Sequence, residues 1–112
     1  MEHVEREVQV PQGADEVWRA VIDPTWLGEW LGGEVECDLR PGARGSFRSL
    51  DGAARRLMVL GVEDRHELSF RWWPETDAGA ASTVTITVDE VADGESIVRV
   101  REVRAQALLA SA

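Results

Sequence analysis

Ala14-Asp15-Glu16-Val17-Trp18-Arg19-Ala20-Val21-Ile22-Asp23-Pro24-Thr25-Trp26-Leu27-Gly28-Glu29-Trp30-Leu31-Gly32-Gly33 is the stretch that decides the fold. Val17, Trp18, Val21 and Ile22 fall at helical spacing and form one apolar stripe. Asp23-Pro24 breaks that helix. Pro24 suits the first position of a second one, where a missing N–H costs nothing. Trp26, Leu27, Trp30 and Leu31 follow, and Gly32-Gly33 ends the second helix. On both sides the period changes to two. Upstream, Val4, Val8 and Val10 alternate with Glu5, Glu7 and Gln9, which predicts a half-buried strand closed by Pro11-Gln12-Gly13.

Downstream, Val35, Cys37 and Leu39 alternate with Glu34, Glu36 and Asp38. Gly45 to Leu50 reads as a short strand, and Asp51-Gly52 as a hairpin turn. From about Arg55 to Val62 both faces are apolar, with Leu57, Val59 and Gly61 against Met58, Leu60 and Val62. That strand is expected mid-sheet. Leu68, Phe70 and Trp72 mark the next strand, and Pro74 to Ala81 a loop. Thr83 to Val88 alternates threonine with aliphatics. Ala92-Asp93-Gly94 turns the chain into Ile97 to Val103. Ala105 to Ala112 suits two weak helical turns. Helices grouped at one point of an antiparallel run predict an α+β domain, not alternating βαβ units.

The chain has 112 residues, which predicts a single domain over 1–112. Its formal net charge of −9 repels phosphate backbones, so nucleic acid is not an expected partner. A lone cysteine, Cys37, fits a reducing compartment. The charged N-terminus has no signal-peptide pattern, and no apolar run has the length of a membrane span. A cytoplasmic protein that does not engage membranes is expected.

Several segments carry a family resemblance. Val8-Gln9-Val10-Pro11, then Glu16-Val17-Trp18-Arg19-Ala20-Val21 and Asp23-Pro24, resemble the opening of the START-like, or Bet v-like, helix-grip proteins. More narrowly, they resemble bacterial homologues of the activator of heat-shock-protein ATPase. Trp26 to Trp30 matches that group's short tryptophan-containing helix. Asp38-Leu39-Arg40-Pro41-Gly42-Ala43-Arg44-Gly45 is similar to its "DLRPGG" turn, with Ala43 in place of a glycine. Leu68-Ser69-Phe70-Arg71-Trp72 is similar to its "L-x-F-x-W" strand. Ser82 to Ile86 and Val98 to Glu102 are similar to its last two strands. The resemblance implies a helix-grip fold: a curved antiparallel sheet of six to seven strands around a cavity, with two short helices after the first strand. In that family a long C-terminal helix closes the cavity. Residues after Val103 number too few for that; eight or nine helical residues rise only about 12–14 Å. An open pocket, or one covered by a second chain, is expected.

Five tryptophans stand out in so short a chain. Trp18 reads as core. Trp72 and Trp73 are adjacent on a strand and must face opposite ways. The phase of Leu68 and Phe70 sends Trp72 inward. Trp30 and Trp72 are the leading ligand contacts, with Trp26, Phe70 and Met58 beside them. Arg6 shares the inward phase of Val4 and Val8, and Glu102 that of Val98 and Val100. Together they supply a polar anchor in an apolar pocket, or else they reach water from frayed strand ends.

No residue is assigned a catalytic role. Cys37 reads as a small buried hydrophobe. His3 and His66 lie in no metal-ligand spacing, so neither metal nor cofactor is expected. Ser46, Ser49, Ser69 and Ser82 lack a nucleophile elbow. Three functions remain. The first is a binding module for a hydrophobic or aromatic small molecule. The second is an interaction domain: a homodimer covering the concave sheet, or the chaperone-ATPase regulator that the resemblance implies. The third is a cyclase- or hydrolase-like enzyme, for which only Arg6 and Glu102 are inward polar candidates.

Overall fold

The computed structural model describes residues 3–104. The turns expected over Ala105–Ala112 lie outside the described residues. Seven antiparallel strands form one curled sheet in the order β1-β7-β6-β5-β4-β3-β2. They are β1 His3–Val10, β2 Gly33–Glu36, β3 Arg44–Ser49, β4 Ala54–Glu63, β5 Glu67–Pro74, β6 Ser82–Ala92 and β7 Glu95–Arg104. Two helices follow β1: α1 Ala14–Val21 and α2 Pro24–Leu31. This is the α+β helix-grip architecture, with the helices on the concave side of the sheet.

Local chemistry explains the helix bounds. The Ala14 N–H opening α1 donates to a Glu90 carboxylate oxygen on β6 at 2.8 Å, so a distant strand satisfies a helix N-terminal donor. Asp15 pairs with Arg65 of the β4–β5 turn at 3.2 Å, tying that turn to the same helix. Asp23 caps α2 by accepting from the Thr25 N–H at 2.9 Å, with Pro24 in the first turn. Gly32 ends α2 at φ +86°, a left-handed geometry that a side chain strains.

The core lies between the helices and the concave face. Val17, Trp18, Val21 and Leu27 meet Leu57, Val59, Leu68, Phe70, Val84, Ile86, Val88 and Val98, all buried. Ser96 is fully buried and donates its hydroxyl to the Gln12 carbonyl at 2.8 Å.

Two expectations change. The period-two run from Val35 to Leu39 is a strand only as far as Glu36. The ladder ends at the Glu36–Ser46 pair, and Cys37 lies beyond it against Gly45, whose lack of a side chain lets the backbones approach closely: a Cβ there would stand 2.2 Å from the Glu36 carbonyl oxygen. The simple alternation of β4 also fails. Val59 pairs with Phe70 but Gly61 with Ser69, so Leu60 is bulged out and 45% exposed. One extra residue reverses the phase, and Val62 turns to the core face opposite Leu68.

Candidate functional site

The helices cover only part of the concave face. Beside them is an open cleft of about 470 Å³, within the usual range for small-molecule sites. α2 supplies Glu29, Trp30 and Leu31, and β5 supplies Trp72. β1 and β7 supply Val4, Arg6, Val8, Val100 and Glu102. The floor is mostly apolar. Val4 is 55% and Val8 43% exposed although both face this side of the sheet.

Trp72 is the fixed wall. It is only 7% exposed and packs against Phe47 and Phe70 at ring-centroid distances of 5.3 and 5.5 Å. Its indole N–H donates to a Glu102 carboxylate oxygen at 2.8 Å. The Arg55 guanidinium stands 4.2 Å from the Trp72 ring centroid and 3.9 Å from Glu102. Trp72, Glu102 and Arg55 therefore form one polar trio at the edge of the cleft. Arg55 was missed in the sequence, although it shares the phase of inward-facing Leu57 two residues on.

Arg6 lines the same cleft but is exposed, and it does not pair with Glu102. Register explains this: Val4 stands opposite Glu102, and Arg6 opposite Val100. Among the described residues Arg6 makes no ion pair or hydrogen bond. It is a free cation at the edge of an apolar surface.

The other named residues separate. Trp30 lines the cleft. Trp26 stacks on it at 4.9 Å and 26°, half-buried against the core, and does not line the cleft. Phe70 is 1% exposed and serves as core packing behind Trp72. Met58 lies on the opposite face of the sheet, beside Trp73, because it alternates with buried Leu57 and Val59. Neither is available to a ligand in the concave cleft.

Titratable chemistry is sparse. Burial, with the Asp38 charge adding to it, pushes the Cys37 thiol above its ordinary range, the reverse of an activated nucleophile. His66 sits in the β4–β5 turn, 3.5 Å from Asp89. Among the described residues no group of three or more His, Cys, Asp or Glu could hold a metal ion. No helix among them is long and apolar enough to cross a membrane.

Comparison with known proteins gives the family. Protein MLL2253 from Mesorhizobium loti superposes with a TM-score of 0.78 at 25% identity, over 92% of this chain and 76% of that one. DynU16, a protein of the dynemicin biosynthetic locus, gives 0.77 at 29% identity over 92% of this chain. This chain spans only 37% of DynU16. The Aha1 dimer from Colwellia psychrerythraea gives 0.72 at 12% identity, covering 90% of this chain and 75% of that one, a likeness of fold alone. No protein of curated function matches the sequence. The model of the family described as activator of Hsp90 ATPase homolog 1-like protein matches residues 13–110, and the chain belongs to that family.

Proposed function

We propose that this chain is a single START-like domain that acts in the cytoplasm and binds an apolar or aromatic small molecule in the concave cleft. The ligand carries an anionic or hydrogen-bond-accepting head that meets Arg6. One observation carries the reading: an open apolar cleft of about 470 Å³ holds a rigid tryptophan wall and one unpaired guanidinium. Glu102 is engaged with Trp72 and Arg55, which leaves Arg6 as the free polar group on the β1 side. Burying about 200 Å² of apolar ligand contributes on the order of 5 kcal/mol before ordering costs, equivalent to a Kd of about 0.2 mM, so tighter binding needs the Arg6 contact as well. The test is a titration of tryptophan emission with medium-chain carboxylates, aromatic carboxylates and their alcohols. Carboxylates are expected to bind more tightly than alcohols, and Arg6→Gln to erase that preference. A panel that leaves the emission unchanged removes the proposal.

Exposed Val4 and Val8 favour a second reading, in which a second copy covers the concave face. They sit on β1, an edge strand whose outer backbone groups pair with no other strand of the sheet. Sedimentation that shows a monomer at high concentration, with the cleft still accessible, excludes it.

A further inference from the structure

We propose that the convex face of β3, β4 and β5 is a docking surface for an acidic segment of a partner protein. The proposal stands independently of the cleft. All twelve basic residues of the chain are arginine. Five of them pair with carboxylates, Arg55 and Arg101 included, while Arg6, Arg19 and Arg48 have no ion pair among the described residues. Arg40 pairs with Asp38, Arg65 with Asp15, and Arg99 with Glu7 and Asp89. On the convex face of β1 and β7, Glu5 and Glu7 stand directly opposite Arg101 and Arg99. That end of the face is neutralised strand against strand.

Toward β2 the register sets Glu34 opposite Arg48 and Glu36 opposite Ser46, but Arg44, Arg56 and Arg71 face no carboxylate across the strands. The register aligns Arg44, Met58 and Arg71 in one row across β3, β4 and β5. Ser46, Arg56 and Trp73 form the next row. Strand spacing sets the backbones of Arg44 and Arg71 about 10 Å apart. Both flank a half-buried methionine, and Arg56 neighbours a half-buried tryptophan. Among the described residues none of these three arginines has an ion pair or a hydrogen bond, in a chain with 21 acidic residues. Two shallow grooves of about 280 and 260 Å³ share Arg44 and Trp73 as walls.

This geometry favours carboxylates spaced along a polypeptide over one compact anion. The guanidiniums are spread over a surface, with apolar side chains between them. Among the described residues neither α1 nor α2 lines these grooves to cradle a phosphate. In an extended peptide, alternate side chains lie about 7 Å apart on one face, within reach of these long side chains. Each guanidinium offers a carboxylate two parallel donors, and Trp73 and Met58 receive the apolar residues between. The net charge of −9 does not oppose this, because exposed charges farther than about 10 Å are screened at ordinary salt.

The probe is a pool of fluorescein-labelled octapeptides with glutamate at alternate positions and random apolar residues between. A matched pool carries glutamine instead. Fluorescence polarisation should show binding of the glutamate pool alone, weakening steeply with salt. Arg44→Gln with Arg56→Gln and Arg71→Gln should weaken it about tenfold, from three exposed pairs of modest strength. Arg71→Gln alone should weaken it about twofold, which keeps the test decisive if the triple variant unfolds. Arg19→Gln, on α1, should change nothing. The proposal is overturned if the two pools bind alike or not at all. It is equally overturned if the arginine variants bind as the parent does, or if tripolyphosphate displaces the pool as well as unlabelled glutamate peptide.

Discussion

Replacing Glu102 tests the centre of the cleft, because its carboxylate is the acceptor for a nearly buried indole. In Glu102→Gln a side-chain oxygen can still accept from the Trp72 N–H, as the carboxylate does at 2.8 Å, but without a formal charge. In Glu102→Ala the acceptor is gone. A charged hydrogen bond contributes about 1.5–3 kcal/mol, and an unsatisfied buried donor costs about 1–3 kcal/mol. Glu102 is 29% exposed, so water reaches the vacated site and the lower end applies, about 1–1.5 kcal/mol. The Arg55 contact at 3.9 Å, half open to solvent, adds at most a few tenths of a kcal/mol, ~0.3. The glutamine variant should therefore lose about 0.5 kcal/mol and the alanine variant about 1.5 kcal/mol. Urea titrations followed by far-UV circular dichroism measure both, with equal slopes expected. The alanine variant should also show red-shifted tryptophan emission, as water replaces the carboxylate. Equal stability of the two variants, within about 0.3 kcal/mol, would refute the reasoning and mean that water serves the indole as well as Glu102 does.

Other outcomes follow from the same geometry. Leu27→Ala, at a side chain 1% exposed between α2 and the sheet, should cost about 2–5 kcal/mol in the same titration. Gly33→Ala should cost at least about 1–3 kcal/mol, because its Cβ would lie 2.1 Å from the Arg48 carbonyl oxygen and force β2 from β3; amide exchange across that pair should rise. Asp23→Ala removes the α2 cap and should cost about 1 kcal/mol. Cys37 has a folded pKa raised above its unfolded one, so its contribution to stability is complete at neutral pH and is lost as pH climbs through the raised value. Iodoacetamide should label it more slowly than a free thiol at mildly alkaline pH, and Asp38→Asn should speed the labelling. Faster labelling than glutathione would contradict the assigned cause.

What could be read ahead of the structure follows from what periodicity encodes. Alternation reports which face a side chain takes. On that evidence Arg6 shares the inward phase of Val4 and Val8, and Glu102 that of Val100; all five line the cleft. Helix bounds were legible because Pro24 and Gly32 act through their own backbones. Periodicity does not report insertions. The bulge at Leu60 reverses the phase within one strand, and only pairing with β5 reveals it. Nor does it report register, which decided that Glu102 meets Trp72 and Arg55 and not Arg6. Met58 shows the same limit from the other side. Apolar residues on both faces of β4 marked an interior strand, but only the cover on each face decides which is core. The concave face has helices over Leu57 and Val59, while the convex face at Met58 has arginines and Trp73. The candidate cleft is a region of inward phase that the described helices leave uncovered. Its location therefore depends on how far α1 and α2 reach across the sheet. Their eight residues each rise only about 12 Å, and among the described residues that length leaves the cleft side of β1 and part of β7 uncovered.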